Sequence, residues 1–244
     1  MTVEQVHLLR VDLLNLNPIT HASGKLWEVG SIEAFQDVFV DCLKVLHRDL
    51  SANNLRFRCT DNGGKAQGIL TDWDMASEVE DSDQILLSTA THRTGTIPFM
   101  AVDLLVVNPR PPPHLFRHDL ESFFYILVWA AFYYDFDKKE CRSTEPSTQP
   151  PLERWNNADL EVCANAKFRI ISEPVVKDQL FALVPPEGQS LLPWMNSVWE
   201  LFWDANHSRM MNQRRPQADW DVKTSGGFLT FQRFMEALGR KPRL

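Results

Sequence analysis

The chain is short of positive charge, short of cysteine and without a long apolar run, and each shortage removes a class of function. It carries 25 Lys and Arg against 32 Asp and Glu, a formal net charge of -7. A nucleic-acid binder needs clustered cations to meet phosphates, and the basic clusters here are two short ones, Arg214-Arg215 and Arg240 to Arg243. Nucleic acid is therefore not an expected partner. The four cysteines, Cys42, Cys59, Cys141 and Cys163, are scattered with no C-x-x-C pair, so neither a zinc site nor a disulfide framework is indicated. Reduced thiols suit an intracellular protein, cytoplasmic or nuclear. The start, Met1-Thr2-Val3-Glu4-Gln5, lacks the basic region and apolar core of a secretory signal. The most apolar stretch, Phe123 to Tyr134, is bounded by Glu121 and Asp135 and is shorter than the roughly 20 residues of a bilayer span. It reads as a buried helix, and no membrane association is expected.

What is present is an ordinary globular composition, 44% hydrophobic and 23% charged. Apolar residues at Ile32, Phe35, Phe39 and Cys42 follow helical spacing, with Ser31 placed to cap the helix and Glu33 in its first turn. From Val45 to Phe57 that spacing is lost, and the polar run His47 to Asn54 reads as a loop. The turn signal Asp61-Asn62-Gly63-Gly64 lies between Leu55-Phe57 and Ile69-Leu70, which predicts a hairpin. A long exposed loop is expected through Glu78 to Thr96. Asp119 is placed to cap an apolar helix from about Leu120, and Lys138 to Pro151 reads as a polar surface insertion. Further helices are expected around Trp194, Val198 and Leu201, and around Phe228, Phe231, Met235 and Leu238, where Gly239 is a natural stop.

Three clusters carry chemistry. His47-Arg48-Asp49-Leu50-Ser51-Ala52-Asn53-Asn54 fits H-R-D-x-x-x-x-N, in which the Asp accepts the proton of an attacking hydroxyl and the Asn holds a divalent metal. The spacing lets one tight loop aim a carboxylate at the nucleophile while a carboxamide reaches back to the metal. In Ile69-Leu70-Thr71-Asp72-Trp73-Asp74, an apolar strand delivers Asp72 beside Asn54, an all-oxygen donor set that suits magnesium. The third cluster is Thr94-Gly95-Thr96-Ile97-Pro98-Phe99-Met100-Ala101-Val102-Asp103, followed by Arg117-His118-Asp119-Leu120-Glu121.

In this order the clusters resemble the fungal-type protein kinase family, a branch of the protein-kinase fold, most clearly over residues 20 to 135. The resemblance implies a mainly α fold with short β-hairpins, a kinase-like C-terminal lobe. Residues 1–30 would be a hinge-like remnant of the N-terminal lobe, with Val3 to Leu16 as a strand, and 31–244 the C-lobe. Within it, 31–46 would be a short helix, 47–72 the catalytic loop and metal hairpin, 74–103 the activation segment, and 119–244 a helical subdomain carrying the insertion 138–151. It further implies Asp49 as catalytic base, Asn54 and Asp72 as ligands of Mg2+ and its ATP, Arg48 as the partner of an activation-loop phosphate, and Ser51 at a phosphate-contacting position. Thr96 would contact the catalytic Asp, Asp119 would steady the backbone at His47, and Asp103 would pair with Arg215. The implied activity is transfer of the ATP γ-phosphate to a Ser or Thr hydroxyl of a protein substrate.

Against this, the 46 residues before His47 contain no G-x-G-x-x-G and no V-A-I-K lysine, the parts that cover and orient the ATP phosphates. Impaired nucleotide binding is therefore expected, and the alternative reading is a non-catalytic, pseudokinase-like scaffold.

Overall fold

A computed structural model of the protein describes residues 23–43, 46–59, 64–73, 95–106, 112–142 and 152–241. The expected Val3 to Leu16 strand, nearly all of the long loop through Glu78 to Thr96, and the latter part of the 138–151 insertion lie outside the described residues. The described part is mainly helical with a few small antiparallel strands.

The first layer is a three-stranded antiparallel sheet, β1 (Gly24–Lys25), β2 (Leu55–Cys59) and β3 (Ala66–Leu70), in that order. In the hairpin, Leu55 pairs with Leu70 and Cys59 with Ala66. Helix α1 (Ile32–Cys42) lies against it. Ser31 caps this helix, its Oγ accepting the Ala34 N–H at 3.1 Å. The helix and β3 approach so closely that a Cβ on Gly68 would stand 2.2 Å from the Val38 carbonyl oxygen, so only glycine fits there. The Gly68 N–H donates to Asp41 at 3.1 Å, closing the same contact.

The second layer is a helical body around α3 (Phe116–Tyr133), whose residues from Arg117 to Val128 are all buried. A helix apolar on every face has to run through the centre of its core. Around it pack α1 (Phe39 to Phe123, centroids 5.3 Å apart), α6 (Leu192–Arg214; Phe202 to Phe124, 5.4 Å) and the turn at Trp155 (to Tyr125, 4.9 Å). The remaining described helices are α2 (Val102–Leu105), α4 (Leu160–Ser172), α5 (Pro174–Phe181) and α7 (Phe231–Ala237). Short strands β4 (Tyr134–Asp135) and β5 (Glu140–Cys141) make a hairpin that leads into the expected insertion, β4 lying before its first residue. Gly239, at φ 62°, ends α7 with its N–H on the Glu236 carbonyl. Among the described residues no helix is long and apolar enough to cross a membrane.

Candidate functional site

The polar run after α1 is a tight loop knitted to the hairpin by its own backbone. The Asn54 N–H donates to the Ser51 carbonyl at 3.0 Å, and the Asn54 carboxamide nitrogen donates to the Asp49 carbonyl at 2.8 Å. The carboxamide oxygen, which can only accept or ligate, is thereby turned over to other partners. The ladder continues past Leu55–Leu70, because the Thr71 N–H donates to the Asn54 carbonyl at 2.9 Å. Asp72 is thus the next residue after the one paired with Asn54, and its side chain is exposed. One carboxylate oxygen of Asp49, Oδ1, is buried with no hydrogen-bond partner.

His47 locks the two loops together. A carbonyl can only accept, so the 2.8 Å contact between His47 Nε2 and the Thr71 oxygen puts the proton on Nε2. The ring also packs on Trp73 at 5.3 Å, and the indole N–H of Trp73 donates to the Leu70 carbonyl. From the helical body, Asp119 Oδ2 accepts the N–H groups of His47 (2.6 Å) and Arg48 (3.1 Å), while Oδ1 accepts from His114 Nε2 at 2.7 Å. Asp119 does not cap α3, as the sequence suggested. It sits inside the first turn, fully buried, and the end of the helix is closed instead by His118 Nδ1 accepting the Leu115 N–H. Its carboxylate is used on the other loop because burial there demands donors, and two backbone amides and an imidazole supply them.

Arg48 and Asp72 both have positive φ, 69° and 65°, two of the four described non-glycine residues that do. Such backbones cluster where geometry matters more than local comfort. Arg48 is buried, its Nε is without a partner, and burial lowers its pKa. The segment that would carry an activation-loop phosphate for it lies outside the described residues.

Other expected site residues sit differently. Ser51 is buried and its Oγ accepts the Asn54 N–H at 3.3 Å, shaping the turn. Thr96 is exposed and makes no hydrogen bond to Asp49; its carbonyl accepts the Phe99 and Met100 N–H groups. Arg215 is exposed at the end of α6, and the partner of Asp103 is Arg209, six residues earlier, with Nη1 at 2.8 Å and Nη2 at 3.0 Å on the two carboxylate oxygens. Arg117 adds a third bond at 2.6 Å. Burial alone would raise the Asp103 pKa, but His118, Arg209 and Arg117 together hold it well below the carboxylate range. Burial pushes His118 down to about 4, so the ring is neutral.

The sequence reading missed the neighbouring polar core. Glu121 is buried and accepts from the Val102 N–H (2.8 Å) and the Tyr125 hydroxyl (2.6 Å); burial and the Asp103 charge raise its pKa. Lys167 is fully buried and donates to the Ile97 and Met100 carbonyls. A signal was available for both. Glu121 stands just before the apolar run from Phe123 and on the face of Tyr125, and Lys167 falls in the apolar stripe Cys163, Lys167, Ile170, Ile171 of α4.

Chemically, the loop ends offer oxygen donors of the kind a hard cation takes, the Asn54 carboxamide and the Asp72 carboxylate. The described residues contain no group of three or more His, Cys, Asp or Glu side chains that could hold a metal. Two protein ligands fit the usual habit of magnesium, which keeps waters and shares phosphate oxygens. Residues 28–131, 104 of the 244, match the family model described as fungal protein kinase. The matched stretch contains His47 to Asn54, Asp72, Thr96, Asp103 and Asp119. No curated protein matches the chain.

Proposed function

We infer, from the fungal protein kinase family to which residues 28–131 are matched, that the described fold is a kinase-like C-terminal lobe and that its site serves phosphoryl transfer from ATP to a Ser or Thr hydroxyl of a protein. The observation that carries this reading is the register of the hairpin. The Asn54 carbonyl is bonded to the Thr71 N–H at 2.9 Å while the Asn54 side chain is bonded to the Asp49 carbonyl at 2.8 Å. One asparagine thus ties the base-bearing loop to the strand that delivers Asp72.

In this reading Asp49 accepts the hydroxyl proton, a contribution of about 10²- to 10⁴-fold. Asn54 and Asp72 would hold magnesium, which when bound neutralises charge on the phosphates. Asp119 keeps the loop in its strained shape by accepting both amides, and His47 sets the distance between the loops through Thr71. Positioning and electrostatics are nearly all that catalysis of this reaction requires of a protein.

The alternative, a non-catalytic scaffold, is favoured by the burial of Asp49 Oδ1, which has no hydrogen-bond partner. The two readings separate in one assay, transfer of labelled γ-phosphate from magnesium ATP to core histones. Slow transfer is expected, lowered at least about 10²-fold by Asp49→Asn and equally by Asp72→Ala. A rate unchanged in Asp49→Asn would remove Asp49 from the chemistry, and no transfer at all would favour the scaffold.

A further inference from the structure

The stretch from Ile97 to Asp103 belongs to no strand, yet it is gripped from within by side chains of three different helices. Lys167 on α4 reaches the Ile97 carbonyl at 2.9 Å and the Met100 carbonyl at 2.6 Å. Its ammonium lies 4.3 Å from the centroid of Tyr125 and 5.8 Å from that of Trp155. One turn earlier, the Cys163 thiol donates to the Trp155 carbonyl at 3.2 Å, tying the wall of the same pocket. Glu121 on α3 takes the Val102 N–H, and Asp103 closes the stretch on Arg117 and Arg209. The grips fall on positions 97, 100, 102 and 103, so the backbone has little freedom left between Thr96 and α2.

A fully buried ammonium is costly, and apolar side chains fill a core at no such cost. The ionisable groups facing Lys167 are Glu121 and Tyr125 from α3 and Cys163 from α4, with Asp103 beyond Glu121, and none of them makes an ion pair with it. Its direct polar contacts are the two carbonyls, so its use lies in what they hold. Burial brings its pKa down to about 7, against the pull of Cys163 and Glu121.

We propose that Lys167 is a positioning residue for the phosphoryl acceptor, fixing from inside the core the Ile97–Met100 backbone at the end of the activation segment against which a polypeptide substrate is set. The role in substrate setting rests on the kinase reading; the grip on the backbone does not.

The test separates the two. Hydrogen exchange is measured peptide by peptide in the wild-type chain and in Lys167→Met, which keeps the length and loses the donors. Exchange over 95–106 is expected to rise at least ten-fold, with peptides of α6 unchanged. An unchanged rate, or a uniform rise across the molecule, would make Lys167 a core filler and overturn the assignment. Should Lys167→Met fail to fold, Lys167→Leu, which likewise removes the donors, is read by the same two outcomes. In the histone assay, Lys167→Met should raise KM for histone about ten-fold while KM for ATP stays the same; an equal rise in both would refute the acceptor-side role. Loss of transfer in the wild type would sink the kinase reading alone, and the exchange result would still decide the lysine's grip.

Discussion

Replacing Asp103 should be more damaging than replacing either arginine that it binds, and the structure supplies the reason for the asymmetry. The carboxylate is bonded to Arg117, whose side chain is 7% exposed, and in bidentate fashion to Arg209, which is 33% exposed. Removing Asp103 strands a buried guanidinium in Arg117 without its counter-charge, a loss of about 3–5 kcal/mol by comparison with other buried pairs. Removing Arg209 leaves the carboxylate paired with Arg117, so Arg209→Met should cost about 1–2 kcal/mol. Arg215→Ala, at an exposed helix end, should stay within about 0.5 kcal/mol. Urea denaturation with the m-value monitored reads these differences, and for a chain of this size each kcal/mol corresponds to about 2–4 °C in Tm. The pH dependence follows in sign. A carboxyl held below its unfolded value stabilises fully above that value, about 3.9, and the stabilisation is lost as the pH falls toward the folded pKa. Asp103→Asn should therefore flatten the stability curve below about pH 4. If Arg209→Met proved as costly as Asp103→Asn, or Arg215→Ala as costly as Arg209→Met, the assignment of the pair would be wrong.

Three further outcomes are expected. His118, lowered by burial to about 4, takes up its proton later in the folded than in the unfolded state, so stability present above about pH 6.5 is lost as the pH falls toward 4; the loss is about 3 kcal/mol, and His118→Gln should remove it from the difference in urea midpoint between pH 7 and pH 4. Gly188→Ala would place a Cβ 1.9 Å from the Ala131 carbonyl oxygen of α3, so the variant should melt several degrees lower, an overpacking cost of at least about 1–3 kcal/mol. Ser31→Ala removes the acceptor for the Ala34 N–H and should cost about 1 kcal/mol in the same denaturation series, with no change in the m-value.

How far the sequence revealed these features depended on whether a signal was local. Helix α1, its Ser31 cap and the hairpin were legible because periodicity and a Gly-rich turn are written in adjacent residues. Helices α4 and α5 were not read: the apolar stripe of α4 is broken by Lys167, and Pro174 restarts the chain as a new helix with one residue between the two. The Asp103 partner was sought in Arg214-Arg215, next to a proline. Helical phase points to Arg209, which follows the buried Phe202 and Ala205 at spacings of three and four. Asp119 looked like a cap because a carboxylate near a helix start usually is one. Its carboxylate is taken by a loop 71 and 72 residues away in sequence, a pairing that no local rule could give and that only the family resemblance implied.

The same non-local bonding accounts for the strain at the site. A non-glycine residue in the left-handed region costs about 1–2 kcal/mol, and Arg48 and Asp72 both occupy it, on loops that flank the same pair of strands. Neither cost is recovered locally. Asp119 offsets the first by taking the His47 and Arg48 amides at once, and the His47 ring offsets the second by holding the carbonyl of Thr71, the residue immediately before Asp72. His47 therefore belongs to both supports: its amide is fixed by the helical body and its ring fixes the hairpin. The two loops therefore cannot relax independently.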